Sequence, residues 1–124
     1  MKILHTADWH LGTFRSPVKD GVNLRTEDTK RCLDELIRVA NEEKPDYSLV
    51  SGDIFHVGRL WSDRCCEEII TAIHYIRELA AVSKQVVVMR GTPNHDGSGQ
   101  FNVLSEMFAD VPNVHVVITP QLIS

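Results

Sequence analysis

Three short polar clusters carry the residues best suited to chemistry: Asp8-Trp9-His10, Gly52-Asp53-Ile54-Phe55-His56 and Gly91-Thr92-Pro93-Asn94-His95-Asp96. Each joins a carboxylate or amide oxygen to an imidazole. Such a mixed donor set suits borderline-hard divalent ions such as manganese, iron or zinc, whereas magnesium would ask for oxygen alone. In Asp-x-His an extended backbone turns residues 8 and 10 to one side and Trp9 to the other. Gly52 permits a sharp turn that presents Asp53, whose two oxygens can bridge two ions. The competing reading is polar capping of strand-to-helix turns, which such loops often carry; the coincidence of three clusters weighs against it.

About forty residues separate one cluster from the next, so regular elements must bring them together. Residues 2–7 read as a strand, followed by a long loop bearing Gly12, Pro17 and Gly21. Cys32, Leu33, Leu36, Ile37 and Ala40 fall at helical spacing within residues 25–43, and Pro45 ends that helix. Residues 47–51 form a second strand. Ser62 can cap a helix running to about Val82 on Ile69, Ile73, Ile76 and Leu79, and residues 85–89 form a third strand. A shorter helix over 101–109 and a strand over 114–118 complete the alternation. Strand and helix in strict succession predict a parallel α/β layer, and right-handed connections bring all three clusters to one edge of the sheet. No linker, repeat or low-complexity tract divides residues 1–124, which read as a single domain.

Thirteen Lys and Arg against seventeen Asp and Glu leave a net charge of −4, which excludes a generally basic nucleic-acid binder. Any polyanion must be met locally. No apolar run is long enough to span a bilayer and the N-terminus carries no secretory pattern, so the expectation is a cytoplasmic protein with no membrane association. Cys32, Cys65 and Cys66 have neither disulfide-framework nor C-x-x-C spacing and read as helix-face residues.

The D-x-H, G-D-x-x-H and G-N-H-D-like elements resemble the first three motifs of calcineurin-like metallophosphoesterases. HTADWHLG together with SGDIFH is similar to the DNA-repair exonuclease branch of that family, the SbcD-type nuclease subunits that work with an SbcC-type ATPase. The resemblance runs over nearly the whole chain. It implies the N-terminal half of an α-β-β-α sandwich, with a mainly parallel sheet and flanking helices. It implies Asp8 and His10 as ligands of a first ion, Asp53 as a bridge and Asn94 as ligand of a second, with manganese (Mn2+) as the metal. His95 is then the catalytic histidine and His56 a contact to the phosphate. Two ions about 3.5–4 Å apart would acidify a shared water and clamp the attacking and leaving oxygens of a phosphodiester in DNA.

Two departures accompany the resemblance. Thr92-Pro93 is inserted between the glycine and the N-H-D core, and the family's later single-His and G-H-x-H motifs are not in this sequence. His115, within the apolar run VHVVI, reads as structural, as do His5 and His74. The chain is therefore expected to be an N-terminal fragment, weakly active alone, whose uncovered sheet face is met by a second copy in a homodimer or by swapped segments. Arg15, Lys19, Arg25, Lys30 and Arg31, with Arg59, Arg64 and Trp61, form either a rim that guides DNA or an ordinary solvated surface. Rival functions are a small-molecule phosphodiesterase or protein phosphatase on the same fold, and a non-catalytic assembly module.

Overall fold

Four strands, β1 (Ile3–Thr6), β4 (Tyr47–Ser51), β5 (Gln85–Met89) and β6 (Val114–Val117), pair in parallel in that order. The computed structural model describes residues 1–12, 18–19, 22–56 and 63–119. Helices α1 (Leu24–Glu43), α2 (Asp63–Val82) and α3 (Ser98–Met107) form the crossovers, as the alternating pattern predicts. The short strands β2 (Val18–Lys19) and β3 (Val22–Asn23) make a separate antiparallel pair.

Because the order runs in one direction across the sheet, right-handed crossovers place all three helices on one face. α1 packs on α2, and α2 on α3. The strand registers align Leu4, Ser48, Val86 and Val114 in one row and Thr6, Val50, Val88 and Val116 in another beneath the helices. Leu33, Ile37 and Ala40 of α1 and Ile69, Ile73, Ile76 and Leu79 of α2 are buried against that face; of the stripe their spacing predicts, Leu36 is partly buried and Cys32 exposed. Buried Ser48 and Ser83 share a hydrogen bond at 2.7 Å, and the Tyr75 hydroxyl donates to Asp34 Oδ1 at 2.7 Å, joining α2 to α1.

The opposite face carries Ile3, His5, Tyr47, Leu49, Gln85, Val87 and His115 and, among the described residues, no helix, with Ile3 57% exposed. His5 shares a hydrogen bond with Ser51 Oγ at 2.6 Å, and His115 with Gln85 Oε1 at 2.8 Å, so both act as sheet-face polar residues.

Two expectations are corrected. The region read as a plain loop contains the β2–β3 hairpin, for which Asp20-Gly21 between the two short runs was an available signal. α3 begins at Ser98 rather than 101, because Gln100 Oε1 accepts the Gly97 N–H and closes the first turn ahead of the apolar residues. Ser62 lies outside the described residues, as do the side chains of Cys65 and Cys66; Cys32 is an exposed free thiol. No helix among the described residues is long and apolar enough to cross a membrane.

Candidate functional site

The three polar clusters follow β1, β4 and β5 and knit into one surface at the carboxyl edge of the sheet. The first two loops continue the β1–β4 pairing: Asp8 N–H donates to Gly52 O at 3.0 Å, His10 N–H to Asp53 O at 3.1 Å and His56 N–H to Leu11 O at 2.8 Å. Trp9 is buried, donates its indole N–H to Thr6 Oγ1 at 2.9 Å and meets Tyr75 edge-on. It faces the body, as expected, while Asp8 and His10 share the other side, with His10 Nε2 3.8 Å from Asp8 Oδ1.

The backbone that achieves this is not the extended one expected. Asp8, His10 and Asp53 lie in the left-handed region, with φ of +56°, +50° and +50°, as does Gly52 at +86°. Such conformations are uncommon outside glycine and cluster where a site over-determines them. At Gly52 a side chain would also strike the Gly91 backbone, and at Gly91 one would strike Asp53 N and Oδ1. The second and third loops are therefore in backbone contact, which only glycine allows.

Asp96 is the tie between them. It is fully buried, and its Oδ2 accepts the N–H groups of Asp53 and Gly91, each at 2.7 Å, while Oδ1 accepts that of Phe55 at 3.0 Å. Burial pushes its pKa up, and the three N–H donors pull against that rise. Arg90 Nε donates to the Asp96 carbonyl at 2.8 Å. Phe55 packs edge-on against Phe101 of α3, so that helix supports the loop carrying Asp53 and His56.

His10, Asp53 and His95 each bring one ligand atom within 4.8 Å of the others, all three half-buried. The His10 and His95 rings stack at 4.7 Å and 14°, and His56 stands 6.3 and 6.2 Å from them. His95 Nδ1 lies 2.7 Å from the His56 carbonyl oxygen. That oxygen only accepts, so Nδ1 carries a proton and Nε2 is the nitrogen left for a ligand or for proton exchange. A ligating histidine typically gives its second N–H to such a carbonyl. Asp53 Oδ1 accepts from Thr92 N at 2.9 Å and Thr92 Oγ1 at 3.1 Å. The Thr92 N–H above all, then its hydroxyl and the nearby His95 and His10, hold the Asp53 carboxyl below its ordinary pKa against the effect of burial. Two imidazoles and an ionised carboxylate, with the Asp8 carboxylate alongside, fit a divalent transition ion.

Of the six residues singled out in the sequence, Asp8, His10, Asp53, His56 and His95 converge, and Asn94 is exposed on the turn just before His95. The sequence did not single out Thr92 or Asp96 as contributors. Asp96 was visible as the last residue of the N-H-D core; nothing local foretold Thr92's contact. Of the basic rim, Arg31 is paired with Asp28 at 3.0 Å and Lys30 is exposed. Arg15, Arg59 and Trp61, and the side chains of Lys19, Arg25 and Arg64, lie outside the described residues.

A family profile described as calcineurin-like phosphoesterase matches residues 1–119. Among curated proteins, the SbcD subunit of the SbcCD nuclease from Staphylococcus epidermidis is 30% identical over 108 residues, covering 87% of this chain and 26% of that protein. The corresponding protein from Staphylococcus saprophyticus is 31% identical over the same shares. The chain thus spans about a quarter of the length of the curated relatives it matches.

Proposed function

The chain belongs to the calcineurin-like phosphoesterase family, and from that premise we propose that it carries metal-binding and catalytic residues of a manganese-dependent DNA nuclease that hydrolyses phosphodiester bonds in double-strand-break repair or recombination. The observation behind this reading is the His10–Asp53–His95 cluster at the carboxyl edge of a parallel sheet. The names of the two staphylococcal relatives favour a nuclease over other phosphoesterases. In this reading the working partners are DNA and an SbcC-type ATPase, in the cytoplasm.

Asp8, His10 and Asp53 serve as metal ligands, with Asn94 adding an amide oxygen for a second ion. When bound, the ions supply Lewis-acid charge to the phosphate oxygens and acidify water. Thr92 donates to Asp53 Oδ1 twice, which holds that carboxyl below its ordinary pKa. His95, its Nδ1 proton committed to the His56 carbonyl, uses Nε2 toward the leaving oxygen, where proton donation contributes about 10²–10⁴-fold. His56, third member of the imidazole group, contacts the phosphate.

The test is hydrolysis with manganese of single-stranded DNA, double-stranded DNA and a nucleotide monoester, alongside Asp53→Ala. Weak cleavage of DNA that Asp53→Ala abolishes supports the reading. Turnover of the monoester without cleavage of DNA contradicts it and favours a small-molecule phosphoesterase.

A further inference from the structure

Resting on the metal reading above, we propose that Thr92 is a positioning residue that fixes the Asp53 carboxylate and couples it to His95. In the G-N-H-D pattern the residue after the glycine is asparagine; here it is Thr92, with Asn94 two positions further on. Thr92 N and Oγ1 lie 2.9 and 3.1 Å from Asp53 Oδ1; Thr92 and Asn94 are both exposed. The loop's other polar side chains are engaged elsewhere: His95 Nδ1 with the His56 carbonyl, and Asp96 with three backbone N–H groups. Among the described residues, both of these hydrogen bonds to Asp53 Oδ1 come from Thr92.

The geometry is held at both ends. Gly91 lies too close to Asp53 N and Oδ1 to carry a side chain, which brings the next peptide N–H against the carboxylate. The Thr92 carbonyl accepts the N–H groups of His95 at 3.1 Å and Asp96 at 2.8 Å. Pro93 confines the Thr92 backbone to extended conformations, and β-branching restricts its χ1, so the hydroxyl is aimed before any ion arrives. Both donors fall on Oδ1. The turn that sets the carboxylate's orientation also sets the start of the His95 segment. An ionised carboxylate accepts and never donates, so the threonine proton is directed at Asp53.

Thr92→Val keeps the N–H and the branched shape but removes the hydroxyl; Thr92→Ser keeps the hydroxyl. Calorimetric titration with MnCl2 at fixed pH, with metal-free thermal unfolding as a second readout, separates orientation from folding. Thr92→Val is expected to weaken manganese binding about 10-fold, the lower end for groups that orient a metal ligand. Its unfolding midpoint should stay near wild type, and Thr92→Ser should restore most of the affinity. Wild-type affinity in Thr92→Val, or equal loss in Thr92→Ser, overturns the proposal. If Asp53→Ala loses binding and Thr92→Val does not, only the positioning role falls. If the wild-type chain binds no manganese, the metal reading falls and this one with it.

Discussion

Asp8, His10 and Asp53 hold left-handed backbone conformations at the points where their side chains converge. For a non-glycine residue each such conformation costs on the order of 1 kcal/mol, so the loop hydrogen bonds must override a local preference for other geometry. Replacing Asp8 by glycine removes that penalty. Asp8→Gly is expected to raise the stability of the metal-free chain by about 0.5–1 kcal/mol in urea unfolding while weakening manganese binding. Equal or lower stability would show that the φ of Asp8 carries no strain. The ligand-type residues themselves were legible, because Asp, His and Gly recur at strand ends in a pattern chemistry recognises. Thr92 was not, since its partner Asp53 is 39 residues away and the contact exists only once two loops touch through Gly52 and Gly91.

At the level of elements, strands and helices announced themselves through periodicity: helical spacing selects most of the buried positions of α1 and α2, but it also selects Cys32, which is exposed, and misses the buried Ala72 and Tyr75. The other misses lay where side chains act on the backbone or the runs are short. Gln100 starts α3 early by accepting the Gly97 N–H, and two-residue strands are too brief for a repeat to show. The ends of β4 and β5 meet through Asp96, whose side chain accepts from both loops. Asp96→Ala leaves three N–H groups without that acceptor. The expected loss is about 3 kcal/mol of stability, readable by chemical denaturation, with manganese binding weakened in parallel. Wild-type stability in Asp96→Ala would mean that the loops hold their places without it.

Across the whole molecule, strand order decides what is covered. A sheet wound in one direction buries Val50, Val86 and Val88 under helices and leaves Tyr47, Leu49 and Val87 on a face that no helix among the described residues covers. The same order gathers the three clusters at one edge, which is why an alternation read from sequence was enough to bring distant residues together. An apolar face of this kind favours association. The chain is expected to dimerise as its concentration rises in sedimentation velocity, and Leu49→Lys to shift it toward monomer; identical profiles would place any association elsewhere.

The central claim is that His10 and Asp53 hold a divalent cation beside His95. Manganese titration of the wild-type chain beside His10→Ala and Asp53→Ala tests it most directly. Saturable binding by the wild type, weakened at least about tenfold by each substitution, is the predicted result. Binding that survives Asp53→Ala unchanged would contradict it.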